Sequence, residues 1–341
     1  MSVPVESLKT LSKIKRTYGF KYLINPTVQE KIFDKLNLES VYKNPADLKV
    51  LDMYPGPAQH SSIFYNRFKP KQHVLLESRI DFKSYIKETF TGPEFTLYDK
   101  DPYEWSTYTN LIDKEKILVP ETQTPDHIHD KFLIMAHLTN SSSEALMMQW
   151  LACIGNKNWL QRFGLAKMLI WIPTATACKL LSLPNDALRA KCSVVTEAFT
   201  NTKLIALSDQ KALSLYNPKV IEQCDPFVFS NEDTHFSRFS SISLLEIDPK
   251  PHNIDLDNWD YVTKHLMVLR RTPLDEAVMS LGHGAREHFE KSVGDKAFLK
   301  KCPVELTCDE FVYLTDIFHK WPFKPDIYMD FVDVYQENGN I

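Results

Sequence analysis

Two carboxylates and one tight turn are the residues of this chain whose types and spacing point to chemistry. Val50-Leu51-Asp52-Met53 reads as the first strand of an α/β domain, and Tyr54-Pro55-Gly56-Pro57-Ala58 as the turn that follows it. A second apolar run, His73-Val74-Leu75-Leu76, ends in another acid, Glu77; a third, Phe95-Thr96-Leu97-Tyr98, ends in Asp99. Such a turn holds a nucleotide cofactor when small residues let the backbone come close to it, which glycine permits and a large side chain prevents. An acid on the first strand and a second acid after the next is the layout of S-adenosylmethionine sites. The second carboxylate there accepts two charge-assisted hydrogen bonds from the ribose hydroxyls, and Asp99 or Asp101 would lie near the adenine. In this chain Tyr54 stands where a first glycine is expected, Gly56 remains, and Ala58 replaces a third. The fold of a cofactor site is kept while the site itself is spoiled. Acids at strand ends also serve as simple caps and solvated surface, so the layout alone leaves both readings open.

The elements that must position these residues follow from periodicity. Residues 27–38 place Val28, Ile32, Phe33 and Leu36 at helical spacing behind Pro26, a good helix opening. Strands are expected at 49–53, 73–77, 95–99 and 132–136, with helices at 61–68 and 81–89 between them and a Pro- and Thr-rich loop, Pro120 to Pro125, before the fourth. Strands alternating with helices predict a mostly parallel, doubly wound sheet, Rossmann-like, whose ligands sit at the carboxyl ends of the strands. Ser241 to Ile247 alternates as a final strand. Helices then dominate, at 259–271, 274–281 and 308–319, with Pro249 and Pro251 marking the boundary. The expected organisation is an α/β domain over 1–250, a small helical domain over 251–325 and an acidic flexible tail over 326–341.

Composition sets the outer limits. A chain of 341 residues with 43% hydrophobic residues can bury a large core. Nine glycines are few for this length, and the net charge of −4 excludes a molecule that attracts nucleic acid as a whole. The charge is uneven, however: Lys9, Lys13, Lys15 and Arg16 face only Glu6 at the start. Asp326, Asp330, Asp333 and Glu337 close the chain with no basic residue after Lys324. The six cysteines form no Cys-x-x-Cys pair, so no zinc site is expected and a reducing compartment is the simple reading. No apolar run reaches the roughly twenty residues that span a bilayer. As a transit peptide the first residues are weak, because Glu6 intrudes and only one Arg is present.

The order of further motifs resembles the ribosomal-RNA adenine N6-dimethyltransferase family over about residues 15–285. That family opens on Gly-Gln-Asn-Phe-Leu, and this chain has Gly19-Phe20-Lys21-Tyr22-Leu23. Its glycine turn, Glu-Ile-Gly-Pro-Gly-Leu-Gly, is matched by Asp52 to Ala58. Its catalytic Asn-Leu-Pro-Tyr, followed by Asn-Ile-Ser, is matched by His137-Leu138-Thr139-Asn140 and Ser141-Ser142-Ser143. Met168-Leu169-Ile170, Ser243 to Pro249 and Arg270-Arg271-Thr272-Pro273-Leu274 fit its later segments. The resemblance implies a methyltransferase-like fold with a small helical domain, and the departures imply that the chemistry is gone. The cofactor-contacting Gln is Phe20, a glycine is Tyr54, the catalytic Asn is His137, and the Pro and stacking Tyr are Thr139 and Asn140. Methylating a flipped adenine needs stacking and amine alignment, and this site supplies neither as the family does. No cofactor is therefore expected, and Asp52, Gly56, Glu77, Asp99, Asp101 and His137 are vestigial. His137 as a new base is weighed against a histidine that simply closes an apolar strand.

A branch of that family serves mitochondrial transcription, and the resemblance to it implies a monomeric matrix protein without a membrane anchor. Its partners would be a single-subunit, phage-type RNA polymerase and promoter DNA, especially the melted single strand. Asp101 to Tyr108 packs Tyr103, Trp105 and Tyr108 into one turn beyond the third strand. Aromatic stacking on an unpaired base is worth roughly 1–3 kcal/mol. Tyr103 and Trp105 are thus expected to trap a promoter base, the alternative being that they cover a local apolar cluster. Lys157, Lys179, Arg189 and Lys191 are candidate phosphate contacts, which position rather than specify; Arg270 and Arg271, read as helical, are as readily paired with acids. The acidic tail, with Tyr328, Phe331 and Tyr335, would dock on the polymerase or restrain DNA binding. The rival readings are an active adenine dimethyltransferase and a scaffold that reuses the fold.

Overall fold

The computed structural model describes residues 19–90, 92–140, 144–235 and 241–327. The basic residues Lys9 to Arg16, the Ser141-Ser142-Ser143 segment and the tail from Tyr328 lie outside the described residues. Those described form two units by contact, residues 19–177 with 200–251 and residues 178–199 with 252–327.

The first unit is built on eight strands: β1 (Lys49–Met53), β2 (Gln72–Leu76), β3 (Thr96–Tyr98), β4 (Ile128–His137), β5 (Leu165–Pro173), β6 (Thr200–Ser208), β7 (Phe227–Phe229) and β8 (Ile242–Pro249). Their order is β3-β2-β1-β4-β5-β8-β6-β7. All neighbours are parallel except β8, which runs antiparallel between β5 and β6. The sheet is therefore mixed, of the methyltransferase type. Both faces of its centre are covered, so β1 and β2 bury every residue but their first. That double burial is why these strands read as continuous apolar runs. β5 is likewise buried along Leu165–Ile172, whereas β6 has exposed and half-buried residues over Asn201–Lys203 and β7 is three residues long and mostly half-buried, so neither is buried along its whole length.

Three helices frame the site. Helix α1 (Pro26–Leu36) opens with the Asn25 side chain accepting from Thr27 N–H and buries Val28, Ile32, Phe33 and Leu36. Helix α2 (Gln59–Phe68) follows β1, and helix α3 (Ile80–Thr89) follows β2. Arg67 of α2 joins Asp34 of α1 at 2.6 Å and Glu39 at 3.0 Å. Phe33, Phe64, Leu133, Met135 and Trp171 share one core cluster with β1 and α1.

The second unit corrects the expected domain boundary. It takes in Cys178–Phe199, which had been placed in the α/β domain. Glu197 accepts from Cys308 N–H at 3.0 Å, and the Arg270 guanidinium donates to the Arg189 carbonyl at 2.7 Å. These long-range bonds bind the segment to the later helices although β6 and β8 intervene in sequence. The helix expected at 259–271 runs Leu256–Val268, capped by Asp255, so Arg270 and Arg271 lie beyond its end. The stretch 274–281 is a short α-helix and a 3-10 turn, and the last described helix is Cys308–His319 as expected. Among the described residues no helix is long and apolar enough to cross a membrane.

Candidate functional site

The turn between β1 and α2 keeps the backbone of a glycine-rich turn after losing two of its glycines. Tyr54, Gly56 and Ala58 have φ of +54°, +61° and +58°. Only glycine adopts this left-handed region freely, and an L-residue loses roughly 1–2 kcal/mol there. At Ala58 the cost is offset by complete burial beside Leu75 and Ile86. At Tyr54 it is offset by the contacts of the ring and hydroxyl described below. Gly56 is held for another reason: a Cβ there would lie 2.5 Å from Phe20 Cε1.

Phe20 belongs to a strap, Gly19 to Asn25, laid across the carboxyl ends of the strands. Thr139 fixes it at one point, its hydroxyl accepting from Lys21 N–H at 3.0 Å and donating to the Lys21 carbonyl at 2.7 Å. Further along, Tyr22 stacks on His235 at 5.0 Å and Ile24 N–H donates to the Asp233 carbonyl. Burial lowers the Lys21 ammonium to about 8, and Asn231 accepts from it. The strap delivers Phe20, 1% exposed, onto the turn.

Glu77, the acid that would hold a ribose, is spent inside the protein. One oxygen accepts from Arg79 N–H at 3.0 Å and from Arg79 Nε at 2.7 Å; the other accepts from Arg79 Nη2 at 2.5 Å and Gly56 N–H at 3.2 Å. The Arg79 guanidinium lies 4.2 Å from the Phe20 ring centre, 4.7 Å from that of Phe82 and 5.1 Å from that of Tyr54, a cation–π arrangement in a desolvated site. A cation and three aromatic rings thus gather above the turn. Arg79 is the residue sequence reading missed. Its only local signal is its position two residues after the acid.

Asp52 points inward, not toward a ligand. It accepts from Ser61 Oγ at 2.5 Å, and His73 Nε2 lies 3.4 Å away. Burial would raise this carboxyl, but the hydrogen bonds and charges of His73, His137 and Ser61 win and hold it below its usual value. His137 is buried at the end of β4, with ring centre 5.1 Å from His60 and 6.2 Å from Trp171. Burial pushes His60 down to about 3 and His137 to about 4. His137 thus lies buried in the core, with its ring centre 5.9 Å from that of Phe20. Asp99, after β3, pairs with Lys83 at 2.8 Å on the surface. Asp101 accepts from the Tyr54 hydroxyl.

The nucleic-acid candidates separate. Tyr103 is 54% exposed. Trp105 is half-buried, set edge-on at 6.3 Å to Trp159, which stacks on Trp150 at 5.1 Å. Lys157, exposed, precedes Trp159 by two residues. Trp159, Trp150 and Tyr108, not singled out as a set by the sequence, form the aromatic base of this loop. Lys179, Arg189 and Lys191 belong to the second unit. Arg189 is no surface contact: fully buried, it donates to the Ser182 and Leu306 carbonyls and pairs with Glu197 at 2.7 Å. A guanidinium with five donors can satisfy three partners inside a fold, which a lone basic residue in a sequence does not reveal. Lys191 is half-buried and pairs with Asp260 at 2.5 Å, and Lys179 is half-buried.

Comparison with known proteins bears on the whole chain. Residues 11–316 match the family model described as ribosomal RNA adenine dimethylase. Mitochondrial transcription factor 1 of Lachancea kluyveri is 57% identical over 338 residues, covering 99% of this chain and all of that one. The Saccharomyces cerevisiae protein of the same name is 55% identical over 336 residues, covering 98% of each. A dimethyladenosine transferase from Plasmodium falciparum superposes with a TM-score of 0.55 at 13% identity, covering 87% of this chain and 97% of that one; at that identity the likeness concerns fold alone. The mixed sheet, the bent turn after β1 and the matched length agree, and the chain belongs to the ribosomal RNA adenine dimethylase family.

Proposed function

We propose that this chain is a mitochondrial transcription initiation factor that acts in the matrix with a single-subunit, phage-type RNA polymerase and helps it recognise and melt promoters. The observation that carries the reading is identity of 57% and 55%, over nearly the full length, to two mitochondrial transcription factors. The interior of the site supports the loss of methyl transfer. Both Glu77 oxygens are engaged by Arg79, and Phe20 packs on Gly56 where a cofactor would need open backbone. An active dimethyltransferase would have to expel a buried ion pair and an aromatic ring before binding anything.

In this reading Tyr103 and Trp105 hold an unpaired base on the aromatic platform of Tyr108, Trp150 and Trp159, and Lys157 meets a phosphate beside it. Opening duplex DNA costs about 1.4 kcal/mol per base-pair step. One or two stacks of roughly 1–3 kcal/mol shift that balance without supplying all of it, so the polymerase contributes the rest. The test is run-off transcription with the polymerase. Tyr103→Ala with Trp105→Ala impairs initiation on a duplex promoter and spares a template whose bubble is already mismatched. Normal activity of the double variant on the duplex would refute the base-holding role. No stimulation of the polymerase by the unsubstituted chain would refute the function itself.

A further inference from the structure

We infer that Tyr54, the residue that spoils the cofactor turn, is the positioning residue of the loop that presents Tyr103; the inference rests on the base-holding reading of that loop. The Tyr54 hydroxyl donates to Asp101 Oδ1, and the same oxygen accepts from Tyr103 N–H at 3.0 Å. Burial, then the hydrogen bond to Asp101, raises the Tyr54 phenol above its ordinary value, so it stays a donor at neutral pH. The Asp101 carbonyl accepts from Thr107 Oγ1 at 2.7 Å and from Glu104 N–H at 3.1 Å. Next to Tyr54, Met53 Sδ lies 3.2 Å from the Tyr108 hydroxyl, which donates to the Pro102 carbonyl at 2.7 Å. Two consecutive residues, the last of β1 and the first of the turn, therefore anchor the two ends of the 101–108 loop.

The economy of the arrangement lies in one residue. A glycine at position 54 would leave room above the turn and offer Asp101 no donor. Tyrosine closes that room with its ring, against Arg79 at 5.1 Å, and its hydroxyl reaches out to Asp101. Tyr103, more than half exposed, packs too little surface to fix its own direction. Its backbone N–H to Asp101 sets the loop, and Tyr54 sets Asp101. The turn has passed from approaching a cofactor to aiming an aromatic side chain.

Tyr54→Phe removes the hydroxyl and keeps the ring, so the site stays filled. The full chain is assayed with its polymerase on duplex and pre-melted promoters, beside Tyr103→Ala and the double variant, with thermal unfolding in parallel. The expected result for Tyr54→Phe is loss of duplex initiation on the order of tenfold, the lower end of the worth of a hydrogen bond to a charged acceptor. Activity on the pre-melted template stays near that of the unsubstituted chain, and thermal unfolding shows the variant folded at the assay temperature, with the modest loss of stability that one hydrogen bond accounts for. In the Tyr103→Ala background Tyr54→Phe adds nothing, because there is no ring left to aim. Wild-type activity of Tyr54→Phe beside an impaired Tyr103→Ala overturns the inference and leaves the base-holding reading standing. Equal loss on both templates, or additivity with Tyr103→Ala, also overturns it. A silent Tyr103→Ala removes the reading on which it rests.

Discussion

Removing the Arg79 side chain tests whether the Glu77–Arg79 pair beside the β1 turn is a structural centre. In the folded protein Glu77 is buried, and the Arg79 side chain, 14% exposed, gives it two charged hydrogen bonds. Breaking a buried ion pair from one side costs about 3–5 kcal/mol, because the partner keeps its charge without compensation. Glu77 retains two backbone donors, Gly56 N–H at 3.2 Å and the Arg79 N–H at 3.0 Å, which argues for the lower end, about 3 kcal/mol. Loss of the cation from among Phe20, Tyr54 and Phe82 adds in the same direction. For a domain of this size 1 kcal/mol moves Tm by roughly 2–4 °C, so Arg79→Ala lowers Tm by about 6–12 °C. The assay is urea unfolding and calorimetry of Arg79→Ala, Glu77→Ala and the double variant. With both partners gone no orphaned charge remains, so the double variant is more stable than the sum of the single losses predicts. A change of less than about 0.5 kcal/mol for Arg79→Ala, the range of ordinary surface substitutions, or strict additivity, would refute the reasoning.

The remaining predictions concern binding, acid stability and charge. Calorimetric titration with S-adenosylmethionine shows no binding to the unsubstituted chain; saturable binding would restore the enzyme reading. Gly56→Ala, at φ +61° and with its Cβ 2.5 Å from Phe20, destabilises by about 1–3 kcal/mol through overpacking, measured in urea. His60 and His137 have folded values of about 3 and about 4, below the ordinary value near 6.5. The unfolded chain therefore binds protons that the folded one refuses, and their contribution is present above about pH 6.5 and lost as pH falls toward 4. Unfolding free energy measured from pH 7 to 5 falls with a slope reaching about 1.4 kcal/mol per pH unit for each histidine, and His137→Phe reduces that slope. Arg189→Ala lowers the stability of the second unit by about 1–3 kcal/mol by stranding the buried Ser182 and Leu306 carbonyls, whereas Lys157→Ala reduces the salt dependence of single-strand binding by about 0.7 in log–log slope.

Local pattern determined a good deal of this molecule. The strands β1 to β4 and β8, the helices α1 to α3 and the helix at Cys308–His319 are legible because apolar runs and helical spacing are local properties of a sequence. Loss of glycine at 54 and 58 is equally local, and it pointed to a spoiled site before any contact was known. Four matters were decided by tertiary structure alone. Asp52 and Glu77 look alike as acids near strand ends, yet one turns to Ser61 and His73 and the other to Arg79. Arg189 and Lys157 look alike as basic residues, yet one is buried against three partners and the other is exposed. Cys178–Phe199 precedes β6 in sequence and packs with the later helices. The strap brings Phe20 onto Gly56, thirty-six positions away. In each case the choice depends on what long side chains and distant segments meet when the chain closes on itself, and periodicity carries no record of that. The sequence marked the turn whose glycines are replaced; only the fold decided which side chains meet there.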